Sequence, residues 1–223
     1  MAGSSAKTTT ARQRRIRWAA IVLTVALVAA AGIFVYQRLA PAPELVGGAI
    51  ADPPQPAPNF TLTDQFGQSR SLDSLAGKPV ALTFVYTNCT DVCPLISANF
   101  HQAYQQLGKH GPQVGLLAVT VDPEHDDVNQ IRGYSDKFGL TDEWFFLTGS
   151  RPQLEAVWAS YGIDAQKVLD QMSEAIQANS PEEIEHSAPV FLIDKQGQVR
   201  AMLPVDVSAD VIAKDLSVLL AER

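Results

Sequence analysis

The sequence predicts an α/β domain carried behind a single membrane-spanning helix. Three observations predict it: an uncharged apolar run near the N-terminus, a stretch rich in Pro, Gly and Ala after it, and then strands alternating with helices. Such alternation implies a sheet with a parallel part and helices on both faces.

The first 17 residues form a basic tail with Lys7, Arg12, Arg14, Arg15 and Arg17, and no acidic residue precedes Glu44. From Trp18 to Tyr36 the chain is uncharged and mostly Ala, Val, Leu and Ile. That run is long enough to cross a bilayer as one helix, which satisfies its own backbone groups in hydrocarbon. Trp18 and Tyr36 stand at its ends, where amphipathic rings favour the interface. The arginines of this region lie on its N-terminal side except Arg38, so the positive-inside rule keeps residues 1–17 in the cytoplasm and exports the rest. Residues 18–37 are therefore expected to be an anchor in a bacterial inner membrane, with the C-terminal domain in the periplasm. A cleaved signal peptide is the alternative, given the small residues near Ala40 and Ala42. The run exceeds the roughly 7–15 residues of a typical signal core. A mitochondrial presequence has little room ahead of the anchor.

Charge follows the same division. All 24 acidic residues lie after residue 43, with 11 of the 17 basic ones, so the exported part carries −13. An acidic domain repels phosphates and gains nothing from counterion release, which argues against nucleic acid as a partner. It can steer a cation towards itself.

Residues 38–58 include "LAPAPELVGGAIADPPQPAP". So many prolines predict a semi-rigid extended spacer without a packed core. Residues 59–223 then form one domain of ordinary size.

Within it, "NFTLTDQFGQSRSL" alternates around Gly67 and predicts a hairpin. "PVALTFVYT" is a near-continuous apolar, β-branched run, as a strand buried on both faces requires. A helix runs from Pro94 to Leu107 and stops at Gly108. "VGLLAVTV" is a second buried strand, "DDVNQIRGYSDKF" a helix ended by Gly139, and "WFFLTG" a third strand. "PQLEAVWASYG" is a helix between Pro152 and Gly162, "APVFLID" a fourth strand, and "VRAMLP" a final one after the "KQGQ" turn. Ser208 caps a last helix that ends near Leu220. A hairpin before a βα unit, with ββα at the end, is the order of a thioredoxin-like domain.

Both cysteines of the chain, Cys89 and Cys93, lie in "YTNCTDVCPL". They fall at the carboxyl end of a buried strand and the start of a helix, the edge where ligand chemistry gathers in open α/β sheets. Pro94 suits the first helical turn. The positive end of the helix favours a thiolate there. Three readings stay open. A structural disulfide is permitted in an exported compartment, but across so short a loop it constrains the unfolded chain little. Dithiol exchange is the second, although redox domains of this kind use two intervening residues and this chain has three. The third is a soft-metal site completed from elsewhere, since thiolates select Cu(I) and imidazole is a compatible addition.

Of the four histidines, His101, His110 and His125 read as surface residues. His186 precedes the fourth strand in "EIEHSAPVFLID", and that strand packs beside the cysteine-bearing one in such a fold. Cys89, Cys93 and His186 thus make a candidate S₂N metal site; the competing reading of His186 is a loop histidine with no role.

These residues resemble the Sco/SenC family. "FVYTNCTDVCP" is similar to its F-x-Y-T-x-C-P-D-V-C-P, "VTVDPEHDD" to its S-V-D-P-x-R-D-T-P, "FFLTGS" to its G-L-T-G-S, and "EHSAPVFLID" to its D-H-S before an apolar strand. The resemblance implies a membrane-anchored, thioredoxin-fold copper chaperone for cytochrome c oxidase assembly. It implies that Cys89, Cys93 and His186 bind copper, as Cu(I) and also as Cu(II). It further implies a copper donor protein and, as acceptor, the CuA site of oxidase subunit II, which receives copper or has its cysteines reduced. The departures are Thr90 in place of Pro, Glu185 in place of Asp, Pro189 entering the strand, and a longer connection over residues 164–184. Met172 in that connection either packs or adds a soft donor. From the residues alone an exported thiol–disulfide oxidoreductase or thiol peroxidase using Cys89 and Cys93 stays open, as does a redox or copper sensor.

Overall fold

The computed structural model describes residues 18–19, 21–29, 44–90, 92–166 and 189–222. It divides into a unit of residues 1–43 and a unit of residues 44–223. In the first, residues 18–19 and 21–29 are helical and side chains such as Trp18, Leu23 and Val28 are exposed. Among the described residues no helix is long and apolar enough to cross a membrane, and the remainder of the expected anchor lies outside them.

The second unit is built on one sheet. Its strands are Ala49–Pro56 (β1), Thr61–Asp64 (β2), Ser69–Ser71 (β3), Val80–Val85 (β4), Gly115–Thr120 (β5), Phe145–Thr148 (β6), Val190–Ile193 (β7) and Gln198–Leu203 (β8). The helices are Val92–Leu107 (α1), Val128–Lys137 (α2), Arg151–Ser160 (α3) and Ala209–Ala221 (α4), with 3₁₀ turns at Leu72–Leu75 and Gly108–Gln113. Spatial order is β1-β8-β7-β4-β5-β6-β2-β3. β4, β5 and β6 are parallel, and β7, β8, β1, β2 and β3 join antiparallel on the two sides.

The parallel centre follows from composition. Every residue of β4 and β5 is buried, as two covered faces demand of "VALTFV" and "GLLAVT". One face holds Phe100 of α1 and Tyr134 of α2 against Trp144 and Phe146. The other holds Phe60, Phe84 and Phe191 around Tyr161, which follows α3. Most of these ring contacts are edge-to-face, with Tyr134–Trp144 stacked and Phe84–Tyr161 tilted, and aromatic pairs of this kind add about 0.5–1.5 kcal/mol each beyond area burial.

One expectation is corrected. The stretch read as a spacer over residues 38–58 contributes β1, which pairs antiparallel with β8. Prolines are tolerated there because β1 is the edge of the sheet and its outer N–H groups need no partner. The register shifts between Ile50 and Gln55, across the prolines. The entry to β1 is fixed by Asp215 of α4, a fully buried carboxylate that accepts the N–H groups of Val46 at 2.8 Å and Gly47 at 3.0 Å.

Two hairpins share one sequence pattern, D-x-x-G-Q-x-R, at residues 64–70 and 194–200. In both, one aspartate oxygen accepts the N–H groups two and four residues on. The other meets the arginine, at 3.0 Å for Asp64–Arg70 and 3.3 Å for Asp194–Arg200. Gly67 and Gly197 each adopt φ of 74°, which the tight turn requires and glycine supplies without steric cost.

Candidate metal centre

β4 ends at Val85, and the chain turns through Tyr86 to Cys89, where the Cys89 N–H donates to the Tyr86 carbonyl at 3.4 Å. α1 begins at Val92, so Cys93 is its second residue and Cys89 lies just ahead of it. The Cys93 N–H donates to Cys89 Sγ at 3.3 Å. The sulfur therefore acts as a cap for one of the donors a helix start leaves without an intrahelical partner. Cys89 is 6% exposed and Cys93 fully buried. The two are not joined as a disulfide.

Burial overrides the helix dipole at Cys93. The thiol is held well above its ordinary range, first by desolvation and then by the Cys89 side chain beside it. This corrects the expectation that the helix start favours its thiolate: the dipole end is weaker than removal from water. Tyr86, 8% exposed, has its phenol pushed up by burial and by both cysteines, with which it interacts directly through Cys89. Tyr134 of α2 is pushed up by burial and its Oη lies 3.0 Å from Ser97 Oγ, which donates to the Cys93 carbonyl at 2.8 Å.

Beneath the turn is Asp126, a fully buried residue of the loop between β5 and α2. It accepts from Thr87 N at 3.2 Å, Thr87 Oγ1 at 2.5 Å and Thr120 Oγ1 at 2.5 Å. Burial raises its carboxyl above the usual range, against the pull of those hydroxyls. Sequence reasoning missed Asp126, Tyr86 and Tyr134: Asp126 sits in the acidic run "PEHDD", which looks solvated, and nothing in the two tyrosines' spacing ties them to the thiols.

Cys89 and Cys93 are thus brought together, as their spacing predicts. His186 lies outside the described residues, as do Asp91, Met172, Glu185 and most of the 164–184 connection. Among the described residues no group of three or more His, Cys, Asp or Glu side chains is placed to hold a metal ion. β7 pairs with β4 from Leu82–Phe191 back to Val80–Ile193, so the chain enters β7 from the end of β4 that leads to the cysteines. The other histidines are accounted for. His125 is exposed and bonded to Asp122 at 2.9 Å, which raises its ring above the usual range. His110 is exposed, near Gln113. His101 departs from the expected surface position: it is half-buried, with Nδ1 at 2.7 Å from Glu143.

The donor pair suits a soft monovalent cation: two buried sulfurs one helical turn apart. It is a poor match for hard cations, which take several oxygen ligands.

A family model described as SCO1/SenC matches residues 49–221. The SCO1 protein homolog of Bacillus subtilis is 28% identical over 142 residues, 63% of this chain and 69% of that protein. Among solved structures, BsSco, a member of the Sco family of cytochrome c oxidase assembly proteins in which a disulfide switch was identified, is 25% identical. Its TM-score is 0.59, and the match covers 78% of this chain and 99% of BsSco. ScoI of Bradyrhizobium japonicum, solved with copper bound, shares the fold with a TM-score of 0.56 at 24% identity, over 72% of this chain and 97% of that one. These likenesses bear out the thioredoxin-like α/β fold.

Proposed function

The chain belongs to the SCO1/SenC family, and from that premise we propose that it is a membrane-tethered copper carrier serving cytochrome c oxidase assembly. Cys89 and Cys93 are the sulfur donors, and His186 supplies an imidazole. The apolar run of residues 18–37 anchors the chain in the bacterial inner membrane, with the domain in the periplasm. The acceptor is subunit II of the oxidase at its CuA site, and a separate donor protein loads the carrier.

One observation carries this reading: two buried sulfurs, linked by the Cys93 N–H to Cys89 Sγ bond, at the carboxyl edge of the parallel strands. The direction in which the chain enters β7 supports His186, which stands four residues before Val190. Cu(I) is cargo here, and its hold must be reversible. Cys89 is the outer sulfur and Thr90 beside it is exposed. An incoming ligand of the acceptor meets Cys89 first, so copper passes by stepwise exchange while Cys93 still holds it. A three-donor set leaves a coordination position for that ligand.

A second reading is dithiol–disulfide exchange with the acceptor's cysteines. The closeness of the two thiols favours it equally. The full-length protein in detergent, reduced and free of oxygen, separates the two. One Cu(I) per chain, lost on alkylating the thiols, supports the carrier. Unchanged copper content after alkylation refutes it, and copper-independent turnover of a disulfide substrate supports exchange.

A further inference from the structure

Asp126 is joined to three parts of the fold at once. Its carboxylate takes the Thr87 N–H and hydroxyl from the turn after β4, and the Thr120 hydroxyl from the end of β5. Its own carbonyl accepts the Thr148 hydroxyl from the end of β6 at 2.7 Å, and its N–H donates to the Asp122 carbonyl at 3.0 Å. The carboxylate therefore ties the turn after β4 to the end of β5 under the cysteine turn, and the main-chain carbonyl of the same residue adds the end of β6. Thr87 stands two residues before Cys89, and its neighbour Tyr86 receives the Cys89 N–H.

A fully buried carboxylate is costly to desolvate, and two hydroxyls and an amide are modest compensation. A neutral side chain would fill the space at lower cost. What an anion adds is short, strong, directional hydrogen bonds that hold the groups they accept from. The bonds to Thr87 fix the backbone that sets where Cys89 Sγ sits relative to the first turn of α1.

Resting on the reading of Cys89 and Cys93 as copper donors, we propose that Asp126 is a positioning residue, which holds the Tyr86–Cys89 turn in the shape that lets both sulfurs share one ion. Its hydrogen bonds reach the cysteine turn through Thr87. Partners of this outer kind are worth about 10–100-fold in metal affinity.

The test uses the full-length protein in detergent and the variants Asp126→Ala, Asp126→Asn and Thr87→Val. Two quantities are read on each: the Cu(I) Kd by competition with a chromophoric chelator, and the position of the Cys89–Cys93 couple against glutathione. In the latter the dithiol gives two electrons and two protons to glutathione disulfide. Thermal unfolding on the same samples reports folding. Asp126→Ala is expected to raise the Cu(I) Kd about 10–100-fold and to shift the thiol couple. Asp126→Asn, which keeps one acceptor oxygen, restores part of both, and Thr87→Val moves both the same way. Folded variants with both quantities at the wild-type level overturn the proposal. If Asp126→Ala does not fold, the Asn and Val variants decide. A wild-type protein that binds no copper, with the couple still shifted in the variants, sinks the carrier reading and leaves the positioning role standing.

Discussion

The second N–H of α1, that of Cys93, donates to the sulfur of Cys89 at 3.3 Å. One side chain is thus a helix cap and, in the function proposed above, also a donor for cargo, and the two duties can be separated by substitution. Cys89→Ser keeps an acceptor for the Cys93 N–H, so stability stays within about 0.5 kcal/mol, whereas Cys89→Ala loses about 1 kcal/mol. Both abolish Cu(I) binding, as does Cys93→Ser. Denaturation curves and copper titrations on the same variants check this; a Ser variant that still binds one copper contradicts it.

His186→Ala is expected to weaken Cu(I) binding roughly tenfold or more without changing its stoichiometry, because two thiolates still hold the ion. Equal affinity in the variant and the parent would remove His186 from the ligand set.

Copper binding should strengthen as pH rises. The Cys93 thiol is held above its ordinary range by burial and by Cys89. It therefore keeps its proton through neutrality, and the ion must displace it. Apparent affinity then climbs by about tenfold per pH unit for each proton released. Competition titrations across the neutral range, with a chelator of known protonation, measure that slope. A flat profile means that no thiol proton leaves on binding.

Asp126 gives a pH signature in stability. Its carboxyl is raised in the folded state, chiefly by desolvation. Between the unfolded and folded values the native state holds the extra proton. The contribution is therefore fully present below the unfolded value and is lost as pH rises through the folded one. Asp126→Asn removes that slope. Urea denaturation of both proteins through the carboxylate range tests it, and parallel stability profiles count against it.

Asp215→Ala leaves the N–H groups of Val46 and Gly47 without their side-chain acceptor. A loss of about 2 kcal/mol is expected, since two hydrogen bonds of ordinary strength are lost together. The midpoint of chemical denaturation reads it, and an unchanged midpoint would mean that water satisfies both amides.

Much of this architecture is legible in the chain. "VALTFV" and "GLLAVT" read as doubly buried strands because no polar residue but threonine interrupts them, and glycines mark where α1, α2 and α3 stop. The cysteine pair is equally legible, from its spacing and its place after a buried strand. β1 is not, because "ADPPQP" has the composition of a spacer, and only its position at the sheet edge lets it pair. Nor does sequence separate two adjacent acids of opposite character. Asp127 caps α2 by accepting from Asn129 N and Gln130 N at the surface, while Asp126 beside it is sealed under the cysteine turn. The Cys93 thiol illustrates the same limit: helix-end position is written in the sequence, but depth of burial depends on what packs over it.

The pairing of β1 with β8 bears on how this protein can be shortened. A fragment beginning at residue 59, where the composition changes, strips the outer strand and bares a row of N–H and C=O groups along β8. An unpaired edge of that kind recruits another chain. Self-association of such a fragment would then record a truncation artefact, and a clean boundary for a soluble version lies ahead of Val46.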